Sequence, residues 1–251
     1  MTNTTIALLA FACFFGAALL GMRLRAALPE HHLGSDNKDA IRIGMGLVAT
    51  MTALVLGLLI SSTKGAYDTE RAEVTQMASK IIYLDRLLSS YGPDAAATRE
   101  LLQQATVGSI KRMWPAQKNA YGPVAAGATL TEALPQAIQQ LTAQNDMQRL
   151  LKSQAVGIAS DLGQMRWLLF EQQESSISIP LLSVVTVWLA IIFACSGLFA
   201  QFNGTVMVAL MLAALSVAGA IFLILELDTP FAGLIQISNE PMLSALKHLV
   251  H

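Results

Sequence analysis

The sequence predicts an all-α integral membrane protein with four transmembrane helices and a helical extramembrane domain between the second and third. Three observations predict it. Hydrophobic residues make up 54% of the 251-residue chain and charged residues only 13%, against about 25% charged in an ordinary soluble domain. The apolar residues are gathered into four runs, each near the ~20 residues that cross a hydrocarbon core. No segment shows the period-two alternation of a half-buried strand.

The four runs cover about 5–22, 41–62, 179–200 and 205–225, and none carries an ionised residue in its middle. Nothing basic precedes the first run, whereas Arg23 and Arg25 follow it. That is the reverse of a signal peptide's charge layout, so the run reads as a retained helix. Residues 23–40 join the first pair of spans, with a turn expected at Gly34-Ser35-Asp36. Only Gln201-Phe202-Asn203-Gly204 joins the second pair, which implies two antiparallel neighbours. Cys13 and Cys195 fall inside apolar runs and read as small buried hydrophobes.

The expected division is therefore a transmembrane hairpin over 1–63, an extramembrane domain over 64–178, a second hairpin over 179–226 and a C-terminal segment over 227–251. The 64–178 stretch carries 11 lysines and arginines against 11 acids. Helix should continue out of the second span to about Ser90, because no breaker intervenes before Tyr91-Gly92-Pro93. Ile81, Leu84, Leu88 and Tyr91 keep helical spacing. Asp94 is placed to cap the next helix, which runs to Trp114-Pro115. Thr131 should open another helix with Pro135 near its first turn. A long helix from about Asn145 to Gln173 then leads to the third span. Phe231 to Leu249 mix apolar and polar types and should fold back on the extramembrane domain.

Several function classes find no support. The net charge of −1 offers no basic field for nucleic acid. The chain has no P-loop, GxGxxG, HExxH or GxSxG pattern, so nothing suggests an enzyme or a cofactor. No intramembrane acid suggests a proton relay. His31-His32, His248 and His251 lack the companion ligands of a metal site. Arg23, Arg25, Lys38 and Arg42 sit around the 23–40 loop, which by the charge rule alone places that loop in the cytoplasm.

Three segments carry a family resemblance. Leu84-Asp85-Arg86-Leu87-Leu88, followed by Tyr91-Gly92-Pro93 and Arg99, is similar to the signature of the bacterial bestrophin-like family. So is the second span, from Gly44-Met45-Gly46 through Val55-Leu56-Gly57-Leu58, and so is Leu227-Asp228-Thr229-Pro230-Phe231-Ala232-Gly233. At greater distance the chain resembles the bestrophin anion channels. Their second helix lines the pore with a Val-Leu-Gly stretch, and a Pro-Phe-Gly segment follows their fourth helix. Pro230-Phe231-Ala232-Gly233 departs from the latter by one inserted residue. Leu234-Ile235-Gln236-Ile237-Ser238 stands where many bestrophins carry calcium-binding acids, and the neck aromatics are missing. The resemblance implies a homo-oligomer, a pentamer in bestrophins, in a bacterial inner membrane. It also implies passage of inorganic anions such as chloride, with the large domain and both termini cytoplasmic. That orientation is adopted over the charge rule.

The candidate residues each have two readings. Thr50, Leu54 and Leu58 recur every four residues, so they share a helix face that either forms a pore constriction by dewetting or meets lipid. Ala49, Ala53 and Gly57 form a small-residue stripe suited to close helix packing. Arg42 either concentrates anions at a pore mouth or snorkels to headgroups. Asp85, Arg86 and Arg99 form either an interhelical ion-pair network or solvated helix faces. Glu226 and Asp228 either make a cation or gating contact or simply end the fourth helix in water before Pro230. The whole chain is thus read as an oligomeric channel or as a non-conducting membrane anchor whose helical domain binds a partner.

Overall fold

A computed structural model describes residues 2–27, 35–114, 127–171, 179–200 and 202–249. All regular structure among them is helical: α1 Asn3–Ala27, α2 Ser35–Tyr91, α3 Ala96–Met113, α4 Gly127–Gln140, α5 Asp146–Glu171, α6 Ile179–Phe199, α7 Gly204–Leu227 and α8 Glu240–Leu249. A 3₁₀ turn, Pro93–Ala95, precedes α3. The membrane-spanning stretches are Asn3–Arg25, Ile41 onward within α2, Pro180–Phe199 and Gly204–Leu227. The chain is a four-span membrane protein of the predicted class.

Contacts divide the chain into Met1–Ala66 with Ser175–Asp228, and Tyr67–Glu174 with Thr229–His251. In the first unit α1 packs along both α6 and α7. Phe14 stacks on Phe193 with ring centroids 5.7 Å apart, within a core that also holds Ala18, Leu59, Val185, Leu189 and Ile224. The closest approach is between α1 and α6. A methyl group on Gly21 would overlap the Ala194 carbonyl oxygen, and one on Gly197 would overlap that of Ala18. Only glycine lets the two backbones meet this way. Arg25 Nη1 donates to Phe199 O at 3.2 Å, satisfying a carbonyl that the end of α6 leaves open.

The second unit is built on the 67–91 part of α2. Val74, Met77, Ile81, Leu84, Leu88 and Tyr91 repeat at three- and four-residue spacing and are all buried. They join Leu102 and Ile110 of α3, Leu134 and Ile138 of α4, Ala155 and Ala159 of α5, and Met242 and Ala245 of α8. Lys80 Nζ pairs with Asp161 Oδ2 at 2.6 Å. Gln148 Nε2 donates to the Tyr91 carbonyl at 2.9 Å, closing the last turn of α2.

Local expectations are corrected at four places. Ser35 and Asp36 belong to α2 instead of a turn; Gly34 lies outside the described residues. Asp94 does not cap α3. Pro93 starts a 3₁₀ turn at once, Ala95 N donates to Gly92 O at 3.1 Å, and Ala95 becomes the N-cap without a side-chain bond. The fourth helix begins at Gly127, not Thr131, and carries Pro135 in its interior. Burial of Leu134 and Ile138 offsets the hydrogen bond that Pro135 cannot make. Cys13 is exposed within the chain and not buried, because α1 turns only its other side to α6 and α7. His31, His32, Pro115, Gly122, Pro123, Gln201 and His251 fall outside the described residues.

Candidate functional site

The second span is the least covered of the four. About 11% of its most apolar window is buried, against 22–28% for the others. Its covered side is marked by Thr52, Leu59 and Thr63, which are 1–4% exposed. The Thr52 and Thr63 hydroxyls donate to Val48 O at 2.7 Å and Leu59 O at 2.9 Å. Leu54 and Leu58 are 70% and 68% exposed, and Thr50, also exposed, gives its hydroxyl to Leu47 O at 2.8 Å. At about 100° per residue, Thr50 and Leu54 lie on the opposite side of the helix from Thr52. The Thr50–Leu54–Leu58 line therefore faces away from the chain's own bundle.

Ala49, Ala53 and Gly57 are exposed as well, and a methyl group on Gly57 would meet nothing within 4 Å. The stripe makes no close approach inside the chain. That role falls to Gly21 and Gly197, which went unremarked in the sequence although Ala17 and Gly21 already form a small-xxx-small pair. Arg42 is exposed and lines a recess of about 580 Å³ with Asp39, Ile41, Met45, Cys195, Ser196, Phe199 and Ala200. It lies about 80–160° around the helix from Thr50, Leu54 and Leu58.

In the second unit Asp85 is buried and grips Arg99 with two hydrogen bonds, Nε to Oδ1 at 2.7 Å and Nη2 to Oδ2 at 3.1 Å. This is the fork geometry that favours arginine over lysine. The hydrogen bond to Asp85 raises the Arg99 pKa above the usual arginine value, against the opposing effect of burial. Arg86 stays exposed and, with Asp85, Ser89, Ser90, Arg99 and His248, lines a polar recess of about 400 Å³. Arg112 has its pKa lowered by burial and then by the neighbouring Arg166 charge. Gly92 takes φ 116° and ψ −171°, a conformation essentially reserved for glycine. It turns the chain from α2 into Pro93, so Tyr91-Gly92-Pro93 is a structural corner.

After α7 the chain is held by Trp114, whose part sequence reasoning missed. Its Nε1 donates to Ile237 O at 2.9 Å, and its ring meets Phe231 edge-on with centroids 5.4 Å apart. Ile237 N donates to Pro230 O at 2.7 Å, and Gly233 has φ 91°. Pro230, Phe231 and Gly233 thus form a pinned loop of the second unit. Asp228 caps α7. Glu226 does not end a helix in water: it is 2% exposed and accepts a hydrogen bond from Asn3 Nδ2 at 3.2 Å. The α1 N-terminus brings that asparagine to it, a pairing that local sequence cannot display. Among the described residues no group of three or more His, Cys, Asp or Glu is placed to hold a metal ion.

The family model for a bestrophin-like domain matches residues 12–242. The fold is similar to crystal structures of a bacterial bestrophin homologue from Klebsiella pneumoniae. One with an isoleucine-to-threonine substitution has a TM-score of 0.71 at 10% identity, over 97% of each chain. Another with a tryptophan-to-alanine substitution has a TM-score of 0.70 at 12% identity, over 100% of this chain and 97% of that one. A third, phased on zinc, has a TM-score of 0.68 at 12% identity, over 97% of each chain. No curated protein matches the chain by sequence.

Proposed function

The chain belongs to the bestrophin-like family, and from that premise we propose that it assembles into a homo-oligomeric channel for inorganic anions such as chloride. The second span lines the pore. The observation that carries this reading is the placement of Thr50, Leu54 and Leu58. A face of two exposed leucines and a threonine points away from every other helix of its own unit, on the least covered span. In a ring of copies, five by the bestrophin resemblance, that face surrounds the axis. The Ala49–Ala53–Gly57 stripe lies next to it on the helix, where a neighbouring copy can approach closely. Arg42 lies too far around the helix to share the axis with Leu54 and Leu58, so the pore is assigned without it.

A narrow passage ringed by leucine excludes water and sets a desolvation barrier of several kcal/mol to an ion. Leu54 and Leu58 are the constriction and Thr50 is the polar step beside it. The membrane is the bacterial inner membrane, with 64–178 and both termini cytoplasmic. Reporter fusions at Ala120 and Ser35 test that orientation; cytoplasmic activity at Ser35 alone reverses it. For the pore, a Leu54→Ala, Leu58→Ala double variant is compared with the unmodified protein in liposomes. Chloride flux rises if the constriction is wetted. Flux no higher than that of empty liposomes, from a normally assembled variant, defeats the channel reading. A non-conducting membrane anchor whose helical domain binds a partner then becomes the better account.

A further inference from the structure

We propose that the recess beside Arg42 is a binding site for a phospholipid with an ethanolamine headgroup. Its depth in the membrane follows from the span ends. The apolar stretch of α2 begins at Ile41, and that of α6 ends at Phe199. Ile41, Arg42, Phe199 and Ala200 line the recess together, which puts it at headgroup level. Its volume of about 580 Å³ falls within the ~300–1,000 Å³ of small-molecule sites.

The charges specify the headgroup. Asp39 and Arg42 stand one turn apart on α2, close enough to reach each other. Yet neither forms an ion pair with any described residue. Among the described residues that line the cavity, they are its one acid and one base, side by side. A phosphoethanolamine group carries the matching pair, a phosphate for the Arg42 guanidinium and a primary ammonium for the Asp39 carboxylate. Both contacts are charge-assisted hydrogen bonds. Ile41, Met45 and Phe199 offer an apolar wall to the glycerol and the first acyl carbons. A choline headgroup has no N–H to give Asp39, and a glycerol headgroup has no cation, so both fit less well.

The test is native mass spectrometry of the detergent-purified full chain, incubated with equal amounts of phosphatidylethanolamine, phosphatidylcholine and phosphatidylglycerol. The ethanolamine lipid should be retained preferentially. Asp39→Asn should reduce its retention about tenfold, to the choline level, and Arg42→Gln should weaken all three lipids. Cys195→Phe fills the recess without removing either charge and should abolish the preference. Helical circular dichroism and elution volume check the fold of each variant, and any one folded variant suffices for the test. Equal retention of the three lipids, preference for the anionic lipid, or indifference to both Asp39→Asn and Cys195→Phe overturns the proposal. So does displacement of the lipid by millimolar inorganic phosphate, which would make free phosphate the ligand. Loss of lipid only as copies associate would make a second copy the occupant and would overturn it too.

Discussion

Gly197→Ala should loosen the first unit measurably. A methyl group there would overlap the Ala18 carbonyl oxygen and lie 2.8 Å from the carbonyl carbon and 3.1 Å from Ala18 Cα. These are backbone atoms, so no side chain can swing aside. The helices must part by roughly 1 Å to restore normal contact, and at that gap each pair of facing atoms forfeits about a quarter to a half of its dispersion well. The seam includes the Phe14–Phe193 stack, so the loss is spread along α1. Overpacking typically costs about 1–3 kcal/mol, and a backbone clash belongs at the upper end. The intrinsic gain of alanine over glycine in a helix is about 1 kcal/mol, leaving a net loss of about 2 kcal/mol. Gly21→Ala meets Leu198 N at 2.9 Å and overlaps Ala194 O, so it should cost as much. One separation relieves both clashes, so the double variant should cost less than the sum, by up to about 3 kcal/mol. Equilibrium unfolding in mixed detergent micelles, followed by helicity, measures all three. Gly16→Ala, with nothing within 4 Å, is the control. A Gly197→Ala protein as stable as that control, or strictly additive singles, refutes the close backbone contact.

Three further outcomes are expected. Arg99→Ala strands Asp85, whose side chain is 10% exposed, and should cost about 2 kcal/mol in a denaturant melt, between the values for exposed and fully buried pairs. Arg99→Lys should recover less than half of that, since an ammonium cannot form the two-pronged contact. Gly92→Ala forces a side chain into φ 116° and should lower stability by about 1–3 kcal/mol, read as a drop in thermal midpoint. Trp114→Phe keeps a ring against Phe231 but removes the donor to Ile237 O. It should cost about 1–3 kcal/mol and speed amide hydrogen exchange across 229–238 while leaving α6 and α7 unchanged.

The four spans were legible because bilayer thickness imposes a length that any apolar run must meet. The continuity of α2 to Tyr91 was legible too, since helix persists until a glycine or proline interrupts it, and Gly92-Pro93 does. The Val74–Tyr91 core face was visible in part through Ile81, Leu84, Leu88 and Tyr91, because a 3.6-residue period is local information. Starts of helices were read less well. Asp94 and Thr131 have good capping chemistry, but the fold used the Pro93 turn and Gly127 instead. Burial and pairing lay beyond the sequence altogether. Glu226 read as a helix end, yet Asn3, more than two hundred residues away, reaches it. Trp114 read only as the last residue of a helix before Pro115, yet it holds the loop after α7. The small stripe on α2 read as a packing face, while the chain's own close contact formed at Gly21 and Gly197. Hydrophobic periodicity says which side of a helix avoids water. Inside a membrane, where lipid and protein are equally apolar, it cannot say which side meets another helix, and only the tertiary arrangement decides that.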